Sequence, residues 1–288
     1  MTIEFITADC LDWMRTTERR FDMTFGSPPY CDARTYGIGA QRNCAEWVEW
    51  MLQVTEAAVR ITTGPVIWVA AGVTRDRNYW PACEGLMWEW WKRGGSMYRP
   101  CYWHRNGIPG SGGDQWFRAD VEYAMCFKHD GALPWADNTA MGHKPKWEPG
   151  GKLSYRDEHG QRRHKIRGTS GYKNGDTINY KASEGNLLDR AVTEIANPGN
   201  MVHTPNGGGH LGNRLAHENE APFPEKLAEF FIRSCCPPEG TVLEPYSGSG
   251  TTAAVCARTG RNCVGIDVRA SQTALARRRC AQVQRELI

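Results

Sequence analysis

Two hydrophobic patterns alternate along residues 1–130 and 216–288. Short apolar or alternating runs predict β-strands over 3–6, 21–25, 65–70, 121–127, 241–244 and 262–267. Apolar residues that recur every three or four positions predict helices over 47–58, 224–233, 251–258 and 270–286. Strands that alternate with helices are typical of a mostly parallel sheet covered by helices on both faces, so we predict an α/β fold.

The helix predicted near residue 47 carries a start signal and a tryptophan-rich face. Asn43 and Glu46 have the spacing of a capping box, in which each side chain bonds the backbone of the other residue. Trp47, Trp50 and Met51 then follow at helical spacing. We interpret these large side chains as core residues.

Residues 131–215 lack both patterns. The range from Gly131 to Gly212 holds 14 of the 31 glycines and few aliphatic residues. Residues 142–181 carry ten Lys/Arg and four acids, a net charge of +6, whereas the whole chain carries only +3. A solvated insertion would explain this composition, and so would a module that faces a polyanion. We predict one domain made of 1–130 and 216–288, with 131–215 as a basic, Gly-rich insertion.

Other features of the composition narrow the class of protein. The longest apolar run, residues 66–73, is far shorter than the roughly 20 residues of a spanning helix, so we expect no membrane. The first five residues show no apolar signal segment. The cysteines number 11, an odd count, and form no Cys-x-x-Cys pair, which indicates reduced thiols, a cytoplasmic location and no metal site.

A glycine turn follows the strand predicted at 241–244. Gly248 and Gly250 allow a sharp backbone turn at the start of a helix, whose free N–H groups suit a carboxylate or phosphate. Asp267 ends the next strand about 20 residues on, where an acid binds ribose hydroxyls. The pattern fits a dinucleotide fingerprint, but Glu244-Pro245 before the glycines is unusual for one and suggests a different adenosyl ligand.

A second turn, Ser27-Pro28-Pro29-Tyr30, follows the strand predicted at 21–25. Two prolines fix the backbone and remove two N–H donors, which leaves carbonyl acceptors beside a hydroxyl group and an aromatic ring. Such a turn suits a flat ligand that bears an amino group, with Tyr30 against its ring face. Taken alone, the segment would be an ordinary proline-rich turn.

Together, the two turns resemble motifs of the amino-directed DNA methyltransferases that use S-adenosylmethionine. Residues 27–30 resemble the catalytic D/N/S-P-P-Y/F/W motif, and residues 244–252 resemble the cofactor motif D-P-F-x-G-S-G-T-T. Weaker similarities lie at 7–11, 103–109, 122–123, 217–226 and 264–267. The catalytic motif comes first, which is the circularly permuted order of the β class. This resemblance implies a Rossmann-like class I methyltransferase fold and places target recognition in the basic insertion.

The resemblance also implies a role for individual residues. Cofactor contacts are implied for Asp9, Phe223, Glu225, Glu244, Pro245, Tyr246, Gly248, Gly250, Thr251 and Asp267. Catalytic roles are implied for Ser27, Pro28, Pro29 and Tyr30. Phe223 to Glu225 would close over the methionine part of the cofactor. Serine at position 27 resembles enzymes that methylate the 4-amino group of cytosine, whereas aspartate is commoner in adenine N6 enzymes, which remain the alternative.

The implied substrate is double-stranded DNA with its target base swung out of the helix. The densest basic run provides candidate phosphate contacts at Arg162, Arg163, Lys165 and Arg167. A cognate restriction endonuclease is a possible partner, and both a monomer and a homodimer fit. The sequence leaves open an RNA or protein-amide methyltransferase, an NAD oxidoreductase, and an enzyme that uses a nucleophilic cysteine such as Cys101.

Overall fold

A computed structural model describes residues 1–32, 43–105, 115–145, 154–156, 159, 161–164, 194–205, 211–219 and 221–286. In chain order its elements are β1 (Ile3–Thr7), α1 (Cys10–Thr16), β2 (Met23–Gly26), α2 (Cys44–Ile61), β3 (Val66–Ala70), β4 (Val73–Arg75), β5 (Asn78–Trp80), α3 (Ala82–Lys92), β6 (Ser96–Met97), β7 (Cys101–His104), β8 (Val121–Lys128), β9 (Ser154–Arg156), β10 (Arg162–His164), β11 (Met201–His203), a 3₁₀ helix (Arg214–Glu218), α4 (Glu225–Cys235), β12 (Thr241–Glu244), α5 (Thr251–Thr259), β13 (Asn262–Asp267) and α6 (Ala270–Glu286). Two compact units contain these elements, residues 1–140 with 199–288, and residues 141–198.

The first unit is built on a sheet with the strand order β1-β13-β12-β2-β3-β8-β7-β11, and β6 also pairs with β8. The five strands from β1 to β3 are parallel, and β7 and β11 run in the same direction. Among the strands of this sheet that the structure describes, only β8 has the opposite direction to the rest. It pairs antiparallel with β3, β6 and β7. The predicted α/β fold with a mostly parallel sheet is confirmed.

Helices cover both faces of this sheet, so its central strands are buried on both sides. In β3, Ile67 and Val69 pack with α4, α5 and α6, whereas Val66, Trp68 and Ala70 pack with α1, α2 and α3. This division follows from the alternation of side chains along a strand. The capping box predicted for α2 is present, with reciprocal bonds between Asn43 and Glu46.

The second unit, residues 141–198, contains the β9–β10 antiparallel hairpin and a bridge between His143 and Ala196. This unit is narrower than the insertion expected over 131–215, since 131–140 and 199–215 belong to the first unit. Within 199–215, β11 pairs with β7 as the last strand of the main sheet.

No helix in the described ranges is both long enough and apolar enough to cross a lipid bilayer.

Candidate active site

The C-terminal ends of the parallel strands open into a cavity of about 230 Å³. In open α/β sheets this edge is where ligands bind, because loops from neighbouring strands meet there. Loops after β1, β2, β12 and β13 form its wall, together with the segment before α4. Of the site residues inferred from the sequence, those that line it are Asp9, Ser27, Pro28, Pro29, Phe223, Pro245, Tyr246, Gly248, Thr251 and Asp267.

The glycine turn forms one side of the cavity. Gly248 and Gly250 have φ angles of 46° and 75°, the left-handed region that favours glycine. A Cβ atom on Gly250 would lie 2.9 Å from the Ala276 side chain, so the turn also needs glycine for close packing against α6. Gly250 immediately precedes α5, and Thr251, the first residue of that helix, lines the cavity. The first N–H groups of a helix have no partner within the helix, so they are available to a ligand beside it.

Asp267 fixes this turn from the end of β13. Its Oδ2 atom accepts from the Gly248 N–H at 3.1 Å, and its Oδ1 atom accepts from the Arg269 N–H at 2.9 Å. The carboxylate stands in the cavity wall with capacity for further hydrogen bonds, because each carboxylate oxygen has two lone pairs. Its position matches the acid that contacts ribose in dinucleotide-binding folds.

Two further polar groups face the same cavity. Ser247 is buried, and its hydroxyl oxygen has no hydrogen-bond partner among the described residues. Asp9 begins α1, and its carboxylate accepts from the N–H groups of Leu11 and Asp12. A buried hydroxyl group without a partner indicates a site that a polar ligand completes.

Three residues of the Ser27–Tyr30 turn, Ser27, Pro28 and Pro29, also line the cavity, whereas Tyr30 does not. Trp47 of α2 is buried and donates its indole N–H to the Pro29 carbonyl at 2.7 Å. This bond holds the turn against α2. Trp47 therefore does more than fill the core, which is the role that the sequence pattern suggested for it.

Tyr30 is held at its phenol end. Its hydroxyl group donates to Glu122 Oε2 at 2.5 Å, and Arg105 Nη1 lies 2.8 Å from Glu122 Oε1. Glu122 is only 3% exposed. Because a buried carboxylate needs charged and hydrogen-bonding partners, this arrangement fixes both the acid and the tyrosine ring that depends on it.

Glu244, Glu225 and Gly250 do not line the cavity, contrary to the cofactor contacts implied for them. Glu244 is fully buried at the end of β12 and accepts from the Thr252 hydroxyl at 2.6 Å. The Glu225 carboxylate bonds to Arg258 and, at 2.6 Å, to Arg279. Arg279 is fully buried on α6 and also donates to Thr251 and Ser249 of the glycine turn. Glu225 thus supports the turn through Arg279.

Burial raises the pKa of Glu244 well above its usual value of 4.5. The contribution of the neutral carboxyl to the free energy of unfolding is therefore complete below pH 4.5. It is lost as the pH rises toward the raised pKa. The Glu244→Gln protein, which stays neutral, should gain stability relative to the parent as the pH rises, by up to about 1.4 kcal/mol per pH unit. Urea unfolding between about pH 5 and pH 8 measures this difference.

The matched control is Glu56→Gln, which changes an exposed glutamate on α2. This variant measures how much the exchange of a carboxyl for an amide changes stability at an exposed position. If the free energy of unfolding of Glu244→Gln ran parallel to that of the parent across this pH range, the raised pKa of Glu244 would be contradicted.

The sequence matches the model of a protein family described as DNA methylase, of the N6/N4 methyltransferase type, over residues 21–278. This match covers most of the chain. The chain belongs to this family.

Individual proteins are similar to this DNA methylase over nearly their whole length. The orphan methyltransferase M.BamHII of Bacillus amyloliquefaciens is 26% identical over 250 residues, which cover 86% of this chain and 83% of that protein. The solved PvuII DNA methyltransferase (cytosine-N4-specific) aligns at a TM-score of 0.66 and 17% identity, over 100% of this chain and 93% of the other. A modification methylase of Thermus thermophilus, solved in complex with S-adenosyl-L-methionine, aligns at 0.58 and 18%, over 99% and 96%. The two structural alignments show a shared fold.

The thiols nearest the site of this DNA methylase are poor nucleophiles. Burial raises the pKa of Cys10, in the cavity wall, to about 12, and that of Cys31, beside the Ser27–Tyr30 turn, to about 11. A hydrogen bond from Cys126 lowers the pKa of Cys101, but Cys101 lies in β7, which β8 separates from β3, and it does not line the cavity. These positions argue against catalysis by a nucleophilic cysteine.

The DNA-facing residues inferred from the sequence belong to the second unit. Arg162 and Arg163 lie in β10, but their side chains are outside the described part of the structure. Lys165 and Arg167 fall outside the described residues altogether. Their contacts with DNA stay a prediction.

Three residues of the site were given no site role from the sequence, namely Trp47, Glu122 and Arg279. Glu122 had a signal, because it is the one acid of its strand and belongs to the weaker motif similarity at 122–123. Arg279 also had one, since it shares the helical spacing of the buried residues Leu275, Ala276 and Val283. Nothing in the sequence distinguishes the bond between Trp47 and the turn from ordinary core packing of a tryptophan.

Proposed function

We propose that the protein is a β-class DNA methyltransferase that methylates the 4-amino group of cytosine in double-stranded DNA. The observation that carries this proposal is that Ser27, Pro28 and Pro29 line the same cavity as the glycine turn. A cofactor on one turn can therefore meet an amino group held by the other. The serine at position 27 and the fold shared with the cytosine-N4-specific PvuII enzyme support cytosine as the base.

S-adenosylmethionine is the cofactor of this protein. The residues of the cavity fit it: Asp267 would accept from the ribose hydroxyls, and Asp9 would lie near the adenine. The Ser247 hydroxyl supplies a polar contact, and Phe223 covers the cavity from the segment before α4. When bound, the cofactor supplies an electrophilic methyl group, which the base takes up in exchange for one amino proton.

The Ser27–Tyr30 turn would activate the amino group. An exocyclic amine is a weak nucleophile because its lone pair is conjugated with the ring. Ser27 Oγ and the Pro28 carbonyl accept from its two hydrogens, which favours a pyramidal nitrogen and stabilises the positive charge that develops there. Tyr30 stacks on the base and holds it for in-line attack. The Pro29 carbonyl is bonded to Trp47 and keeps the turn rigid.

Labelled methyl transfer tests this proposal. The protein is incubated with methyl-labelled S-adenosylmethionine and, separately, with duplex DNA, RNA or protein, and the DNA product is hydrolysed to nucleosides. We expect the label in N4-methylcytosine from duplex DNA. Label in N6-methyladenine would overturn the choice of base, and label only in RNA or protein would overturn the substrate. Mapping the methylated positions also gives the recognition sequence.

Asp267→Asn should bind S-adenosylmethionine about tenfold to a hundredfold more weakly. The change removes the negative charge that strengthens hydrogen bonds to the ribose hydroxyls, and such bonds contribute about 1.5–3 kcal/mol. Titration calorimetry measures the Kd, and affinity for DNA serves as the internal control because it should not change. A Kd within about twofold of the parent value would remove the ribose role.

Neutralising Arg162, Arg163, Lys165 and Arg167 together by alanine should weaken DNA binding and its dependence on salt. Each lost phosphate contact lowers the slope of log K against log salt by about 0.9, so the slope should fall by up to about 3.6. Binding titrations at several salt concentrations measure it. The control is the double variant Lys92→Ala, Arg93→Ala at the end of α3. An unchanged slope would exclude these phosphate contacts.

A further inference from the structure

Two adjacent aromatic side chains just before β8 are exposed to solvent. Trp116 and Phe117 are 78% and 83% exposed, more than any other large hydrophobic side chain in the described ranges. Their ring centroids are 5.3 Å apart, and the rings are tilted by 59°. Exposed aromatic groups of this size indicate a surface that meets a partner.

The strand order places this aromatic pair at the edge of the sheet that carries the cavity. β8 runs antiparallel to β3, so its first residues lie beside the C-terminal ends of the parallel strands. Phe117 is five residues before Glu122, which limits the distance between their Cα atoms to about 18 Å.

A chain of bonds also joins this segment to the Ser27–Tyr30 turn. The Arg105 N–H donates to the Asp120 carbonyl at 2.9 Å, and Arg105 pairs with Glu122. Glu122 in turn accepts from the Tyr30 hydroxyl. These bonds connect the segment that follows the aromatic pair to Tyr30, the ring proposed to stack on the target base.

The chemistry of the pair favours a nucleobase as its partner. The neighbouring guanidinium of Arg118 is bonded to the Asp120 carboxylate at 2.7 and 3.2 Å, so its charge is already paired. The feature that this surface offers to a partner is therefore the flat apolar faces of Trp116 and Phe117. Extruding a base from a duplex leaves a gap between stacked pairs, and apolar side chains that enter such gaps recover the lost stacking.

We propose that Trp116 and Phe117 insert into the duplex at the position vacated by the target base and stack on the bases that remain. This inference rests on the proposed function, because it requires a target that leaves the DNA helix. The aromatic pair then helps to hold the base pair open, while Tyr30 receives the extruded base.

The test compares Trp116→Ala and Phe117→Ala with the parent on two duplexes that contain the mapped recognition sequence. In one the target base is paired, and in the other it faces an abasic site, so that opening costs less. We expect kcat/KM on the paired duplex to fall about fivefold to 150-fold, the range typical of one lost base–aromatic stack. On the abasic duplex both variants should come within about threefold of the parent, with cofactor affinity unchanged.

The chain offers a matched control in Trp88 and Trp91 on α3. These rings are 5.2 Å apart and each is 58% exposed, but α3 packs on a face of the sheet. Trp88→Ala should behave like the parent on both duplexes.

Three results would overturn the inference while leaving the proposed function intact. They are parent-like rates of both variants on the paired duplex, equal losses on both duplexes, and a change in oligomeric state on gel filtration, which would indicate that the pair contacts a second copy. If the parent protein itself methylates neither duplex, the proposed function fails and the inference fails with it.

Discussion

Ser27→Ala is expected to lower kcat for methyl transfer to DNA by about 10²–10³-fold, the range found when one preorganised group that stabilises transition-state charge is removed. Ser27 immediately follows β2 and lines the same cavity as the glycine turn. Its hydroxyl is one of two acceptors proposed for the amino hydrogens of the base. Because that interaction strengthens as positive charge develops on the nitrogen, kcat should fall more than KM rises. Single-turnover methylation with labelled cofactor measures the chemical step directly.

The controls separate this chemical role from folding and binding. The Kd for S-adenosylmethionine should stay at the parent value, since the glycine turn and Asp267 are intact. Ser96→Ala changes another partly exposed serine, in β6, and should methylate DNA at the parent rate. A Ser27→Ala protein with a parent-like single-turnover rate would show that Ser27 does not contact the amino group, whatever base is methylated.

The sequence was sufficient to predict the main strands and both turns because their signals are local. β12 and β13 occur within one residue of the expected positions, since buried strands of a parallel sheet are continuous apolar runs. Gly248 and Gly250 occupy backbone conformations that few other residues adopt, so their spacing alone marks the turn. Short strands such as β6 and β11, of two and three residues, were not predicted because they are too short to show a period.

The contacts behind the two turns could not be predicted because they join distant segments. Tyr30 and Glu122 are 92 positions apart, and Arg279 reaches Glu225 across 54 positions. Glu225 was expected to cover the cofactor because the resemblance to the methyltransferase family implies that residues 223–225 close over it. Its carboxylate instead bonds to arginines from α5 and α6, and these charges are available only after the helices have packed. Local sequence therefore predicts where the cavity forms, and tertiary packing decides which polar side chains face it.

The bond between Tyr30 and Glu122 predicts a graded series of losses. Tyr30→Ala removes the ring and should lower kcat/KM by about fivefold to 150-fold, as expected for one lost base–aromatic stack of about 1–3 kcal/mol. Tyr30→Phe keeps the ring but loses the bond that orients it, at a cost of about 1–2 kcal/mol or about fivefold to thirtyfold. Glu122→Gln removes the charge that receives this bond, so its loss should overlap with that of Tyr30→Phe. The measurement is kcat/KM for methylation of the mapped duplex.

The double variant Tyr30→Phe, Glu122→Gln decides whether the two residues act as one unit. If Glu122 positions Tyr30, the double variant loses little more activity than the worse single variant, because the second change removes a bond that is already broken. Losses that multiply would show independent roles and contradict the positioning. Tyr123→Phe is the matched control: its hydroxyl bonds to Glu84 at 3.1 Å, so it loses a similar tyrosine–glutamate bond one residue away from Glu122. Parent-like activity of Tyr123→Phe would assign the overlap to the ring of Tyr30 and not to a general loosening of β8.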